Sequence, residues 1–258
     1  MTQRDDFLDS IFDVDTHTEA KTEQAKDKAH TDKAENKATE QAGAAENEAA
    51  EHLNNDTELV FIFDESGSMS GFEADTVGGF NSMIKKQRGG EGKVYVSTVF
   101  FNTSRRVLHD RADIDSISLM TERDYSPGGC TALLDAIGHA ILHISNVHKY
   151  ARREDVPAHT IFAITTDGME NASREFTAEA VKRMIKEKTE ACGWEFIFLA
   201  ANIDAVSTAD SIGIRSERAA TYQQTHEGMA DCFESMSLFA DEVRLKSHFN
   251  GAWRSKLS

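Results

Sequence analysis

The chain is short of several features that would announce a function. Only two prolines, Pro127 and Pro157, occur in 258 residues, so no proline-rich segment divides it. Three cysteines, Cys130, Cys192 and Cys232, lie far apart without metal-type spacing, and their odd number argues against a disulfide framework. No run of about eighteen apolar residues offers a membrane span. The opening MTQRDDFLDS has neither the basic start nor the apolar stretch of a secretory leader. These absences lead us to expect a cytoplasmic protein in a reducing compartment. Clustered cations are scarce too. The formal net charge is −16, and residues 1–58, with 16 Asp and Glu against 6 Lys and Arg, carry −10 of it, leaving −6 to the other 200 residues. Nucleic acid and anionic membrane are therefore disfavoured as partners, because phosphate binding needs grouped Lys and Arg. One stretch breaks the pattern: in RLKSHFNGAWRSKLS, Arg244, Lys246, Arg254 and Lys256 meet no acid.

What is present divides into three parts. Residues 16–52 hold no Phe, Tyr or Trp and are built largely from Ala, Glu, Lys, Gln, Asn, Thr and Asp. Such a composition buries too little apolar surface to offset its ordering entropy. The region 1–55 is thus expected to be an acidic arm, disordered or loosely helical. Near its start, DDFLDSIFDVD places Phe7, Leu8, Ile11 and Phe12 on one face of a short helix, a pattern that a partner-docking motif at residues 5–15 would use. From residue 56 to 243, continuous apolar runs (ELVFIF, KVYVSTVFF, TIFAIT, WEFIFLAA) alternate with amphipathic stretches. One of these carries Leu133, Ile137, Ile141 and Ile144 at helical spacing. The pattern predicts an α/β, doubly wound (Rossmann-like), mostly parallel six-stranded sheet with helices on both faces. RRVLHD follows KVYVSTVFF so closely that the pair should form an antiparallel hairpin, leaving one antiparallel edge strand. Residues 244–258 read as a short basic C-terminal tail.

The stretch LVFIFDESGSMSG ends an apolar run in Asp64, Ser66 and Ser68. Serines so placed either cap a turn, attack a substrate, or hold a hard cation. In an open α/β sheet, ligands bind beyond the carboxyl ends of the strands, which directs attention to two other strand-end segments. SPGGCTALLDA sets Thr131 on a glycine-rich turn, and TTDG sets Asp167 after a strand. No G-x-S-x-G elbow surrounds either serine, and no G-x-x-x-x-G-K-[ST] phosphate loop occurs. Two carboxylates and three hydroxyls delivered by three loops form an all-oxygen set, which suits Mg²⁺ or Mn²⁺.

These three pieces, D-x-S-x-S at Asp64, Ser66 and Ser68, G-x-T-x-L around Thr131, and T-D-G at Asp167, occur in the order found in the von Willebrand factor A family. The chain resembles that family from Leu59 to about Val243, including its metal-ion-dependent adhesion site. The resemblance implies that Ser66, Ser68 and Thr131 ligate Mg²⁺ (or Mn²⁺) through their hydroxyls, with Asp64 and Asp167 bonding directly or through water. It further implies a protein partner that supplies an Asp or Glu to the metal, binding without turnover, and an adaptor role of the kind such domains play for AAA+ ATPases or stress and defence systems. The alternative from another class is a metal-dependent hydrolase using the same cation to activate water.

Other conspicuous residues read more plainly. His139 and His143 are spaced i, i+4, but with no HExxH or adjacent carboxylate they suit surface or packing roles better than zinc. Strand alternation should turn Glu65 away from Asp64. Glu170 reads equally as a rim residue of the site or a solvated loop residue, and Cys130 as a small packed side chain.

Overall fold

The computed structural model describes residues 55–245 and 251–257. The acidic arm to residue 54, with its docking stretch at 5–15, lies outside the described residues, as does Lys246.

Six strands form one sheet: β1 (Thr57–Asp64), β2 (Val94–Phe101), β3 (Arg105–Asp113), β4 (His159–Thr166), β5 (Glu195–Ala200) and β6 (Ala219–Thr221). Their order is β3-β2-β1-β4-β5-β6. Every pairing is parallel except β2 with β3, which is the expected antiparallel edge hairpin. Five α-helices cover the sheet: α1 (Glu73–Gln87), α2 (Leu133–Tyr150), α3 (Ala178–Cys192), α4 (Ala205–Ser211) and α5 (His226–Arg244).

Alternation along the central strands divides the core in two. Leu59, Phe61 and Phe63 of β1 face α1 and α5, packing with Phe80, Phe233 and Phe239. Val60 and Ile62 face α2, α3 and α4, packing with Ile137, Ile141, Val181 and Ala209. A strand buried on both faces reads as a nearly continuous apolar run, as the middles of β1, β4 and β5 do. Helix ends follow local chemistry. Thr177 caps α3 by accepting from the Ala180 amide at 3.2 Å, as its position before the helix predicts. Gly193 then ends α3 in the left-handed conformation at φ +66°.

Strand order reverses between β1 and β4, and a sheet of this kind opens its crevice there, at the carboxyl ends. Asp64 is the last residue of β1, and Asp167 directly follows the last residue of β4. The backbone therefore carries both aspartates to one place.

The end of the chain differs from the expectation of a basic tail. α5 runs to Arg244, and Trp253, 1% exposed, is buried against Phe239 with ring centroids 5.8 Å apart. Arg254 donates to the carbonyl of Ala219 at 2.7 Å and also to that of Ser216, backing the edge strand β6. The Arg and Lys residues of this stretch concealed a core aromatic between them. Trp253→Ala should accordingly cost about 3–5 kcal/mol in urea unfolding, the usual toll of emptying a buried aromatic site. A change within about 0.5 kcal/mol would instead describe a solvated appendage.

Candidate metal centre

The site begins where β1 stops. The Ser66 amide donates to Asp64 Oδ1 at 2.7 Å, the turn an aspartate makes with the backbone two residues on. The Thr166 hydroxyl, at the end of β4, donates to Asp64 Oδ2 at 2.6 Å. Two backbone bonds stitch this loop to the segment before α2: Gly67 N to Gly129 O at 3.2 Å, and Gly128 N to Glu65 O at 2.8 Å. Gly129 sits at φ +78°, where a Cβ would fall 2.7 Å from Thr103 Oγ1, so this tight turn takes glycine alone.

The remaining side chains meet above Asp64. Ser66 Oγ and Ser68 Oγ lie 3.1 Å apart, and Ser68 Oγ donates to Asp167 Oδ1 at 2.7 Å. A Cβ on Gly168 would lie 3.6 Å from Thr131 Oγ1 and 4.0 Å from Ser68 Oγ, so those two hydroxyls face the same small space. Thr131 is held by its backbone: its amide donates to Asn171 Oδ1 at 2.9 Å, and its carbonyl accepts from the amides of Asn171 and Ala172. All five residues singled out in the sequence are thus brought together. Asp64, Ser66, Thr131 and Asp167 are buried, while Ser68 is exposed.

Sequence reasoning missed several participants. Thr166 was visible only as half of a Thr-Thr pair. Gln224, 57 residues beyond Asp167, donates Nε2–H to Asp167 Oδ2 at 2.6 Å and to Ser68 O at 3.1 Å. Asn202 in turn donates to Gln224 Oε1. No local pattern marks either amide.

Five neighbouring residues take defined places. Glu65 points away from the cluster as strand alternation requires, accepting from Arg106 at 2.7 Å and from the Ser126 amide at 2.8 Å. Glu170 is neither a rim residue nor a solvated one. It accepts from the amides of Leu134, Ala172 and Ser173 at 2.7–2.9 Å, capping the start of α2 and closing its own loop. Cys130 is exposed rather than packed. His139 and His143 pair with separate carboxylates, Glu175 at 2.9 Å and Asp110 at 2.7 Å. Among the described residues, no group of three or more His, Cys, Asp or Glu could hold a metal ion. The cluster described above is a different kind of set, dominated by hydroxyl oxygens, and its chemistry fits a hard dication.

No protein-family model matches the sequence, and neither does any curated protein. Solved structures do resemble the fold. The von Willebrand factor domain of the type V pili tip protein Mfa5 from Porphyromonas gingivalis matches 73% of this chain and 96% of its own, at 11% identity and a TM-score of 0.54. Proximal thread matrix protein 1 of the mussel byssus matches over 72% of this chain and 46% of its own, at 16% identity and a TM-score of 0.51. A von Willebrand factor type A structure from Catenulispora acidiphila matches over 70% and 42%, at 15% identity and a TM-score of 0.51. The chain thus spans less than half the length of the latter two. At these identities the likeness is one of fold.

Burial, with a smaller contribution from the charge of Asp167, holds the Asp64 carboxyl above its ordinary value of 3.8, against hydrogen bonds from Ser66 and Thr166 that pull it down. A carboxyl whose folded pKa exceeds its unfolded one binds its proton more tightly in the native state. Its charged form therefore costs stability above the folded pKa, and that cost disappears as pH falls through it. Asp64→Asn keeps the shape and the bond from the Ser66 amide. Thr166 Oγ1, already 3.0 Å from Gly168 O, can turn its proton there and accept from the new amide. In EDTA at neutral pH, Asp64→Asn should therefore unfold at the same temperature as the wild type or a higher one, with the difference shrinking in acid. A fall of more than about 4 °C, on the order of 1 kcal/mol or more, would contradict this account of the site.

Proposed function

We propose that this chain, whose fold is that of the von Willebrand factor A domains, is a divalent-cation-dependent module that binds a protein partner without turnover. One observation carries the reading. Asp64 and Asp167, each at most 3% exposed, share the site with neutral donors: the Ser66 amide, the hydroxyls of Thr166 and Ser68, and the Gln224 amide. Among the described residues, no Lys, Arg or His forms an ion pair with either. Buried carboxylates elsewhere are neutralised or coordinate a cation. Here the balancing charge is to come from a dication.

The hydroxyls of Ser66, Ser68 and Thr131 would hold Mg²⁺ (or Mn²⁺), with Asp64 and Asp167 bound directly or through water. When bound, the cation supplies an electrophilic position for an incoming Asp or Glu from the partner. The protein's part is to hold five oxygen donors rigid through backbone stitching and to present them at an open rim, where Ser68 is exposed. Binding is favoured over hydrolysis by what the adjacent carboxylates do. Glu65 is tied to Arg106 and Glu170 to backbone amides, so neither is free to act as a general base. An adaptor role within a cytoplasmic complex belongs to this reading and rests on the family resemblance.

Titration calorimetry of the full chain with Mg²⁺ and with Mn²⁺ should show one saturable site. Asp64→Ala/Asp167→Ala should abolish it. Capture of a partner from the native host should then require Mg²⁺ and fail with the same double variant. No metal binding by the intact protein, or unchanged binding by the variant, would end the proposal.

A further inference from the structure

Asp167 is pinned at both oxygens: Oδ1 accepts from Ser68 and Oδ2 from Gln224. The orientation of the Gln224 amide follows from donor chemistry. A carboxylate only accepts, as does the Ser68 carbonyl, so Nε2 must face Asp167 and Ser68, spending both its hydrogens there. That leaves Oε1 on the other side, where Asn202 Nδ2 donates to it. Asn202 stands at φ +58°, a left-handed conformation that asparagine tolerates better than most side chains. It follows Ala201, whose amide donates to Thr166 O at 2.9 Å and holds this turn beside the end of β4.

Gln224 is equally well placed. It precedes Thr225, the cap of α5, whose hydroxyl accepts from the Gly228 amide at 3.1 Å. Gly228 presses so closely on the turn that a Cβ there would fall 2.0 Å from Gln223 O. The loop from β6 to α5 is therefore packed against its helix, and Gln224 reaches Asp167 from a firm base.

We propose that Gln224, steered by Asn202, is a positioning residue that restricts Asp167 to one-oxygen approach and thereby favours a small octahedral cation over Ca²⁺ at this site. The inference rests on the metal reading above and extends it to selectivity. Mg²⁺ takes six oxygens in near-ideal octahedral geometry, whereas Ca²⁺ takes six to eight and readily accepts a carboxylate through both oxygens. To chelate in that way, Asp167 must surrender the amide on Oδ2. Removing the amide lifts this restriction for Ca²⁺ while it loosens the carboxylate that Mg²⁺ needs held.

The test is calorimetry of the full chain with MgCl₂ and with CaCl₂ for the wild type, Gln224→Ala and Asn202→Gly. The last variant keeps the left-handed backbone and removes only the amide. Gln224→Ala should weaken Mg²⁺ by about tenfold or more, the usual effect of losing an outer partner of a ligand. Ca²⁺ affinity should change little, so the ratio of the two narrows. Asn202→Gly should shift the ratio in the same direction by less. Wild-type binding with an unchanged ratio in both variants, including an equal loss for both ions, would overturn this proposal alone. A wild-type chain that binds neither ion would overturn the metal reading and this inference with it.

Discussion

Asp64 and Asp167 meet because β1 and β4 are hydrogen-bonded neighbours in register, Phe63 opposite Thr165, and each aspartate comes at the end of its strand. Two carboxylates brought this close and taken out of water raise one another's energy, and much of the surrounding architecture can be understood as a response. Three loops are stitched by backbone bonds at Gly67, Gly128 and Thr131, and each carboxylate oxygen receives a donor. Tyr125, itself buried, donates to the Asp64 carbonyl at 2.6 Å and closes the floor.

The other end of β1 offers a comparison within the same strand. Glu58 is fully buried too, yet Arg111 donates to it at 2.7 Å and His148 lies 3.6 Å away. There the chain supplies its own cation, Arg111, in direct contact with the carboxylate. At the carboxyl end it supplies only amides and hydroxyls. Evolution of a stable core would favour the first arrangement, because a buried charge without an ionic partner is costly. Asp64 and Asp167 keep the second arrangement, and the proposed cation would supply the charge it lacks.

The strands and the motif were legible because both are short-range. β1, β4 and β5 announce themselves as apolar runs, and Asp64, Ser66 and Ser68 fall within five residues. Thr131 and Asp167 could be added because each borders an element whose pattern is plain, Thr131 just before α2 and Asp167 just after β4. What escaped depends on distant contacts. Gln224 and Asn202 belong to ordinary polar loops, and their roles exist only once β5 and β6 stand beside β4. Glu170 looks solvated until the start of α2 is placed against it. Trp253 is a single aromatic among basic residues, with no periodicity to assign it to a face. Cys130, directly after the left-handed Gly129, is exposed, which its small apolar character does not foretell.

The central claim is that five oxygen-bearing side chains form one cation site. Crystals of the protein grown with Mn²⁺ and measured at the manganese absorption edge test it most directly. The account predicts one anomalous peak at roughly 2.1 Å, the short bond length of a small octahedral dication, from the hydroxyl oxygens of Ser66, Ser68 and Thr131. A peak elsewhere, for instance beside His139 or His143, with none among these three hydroxyls, would contradict it.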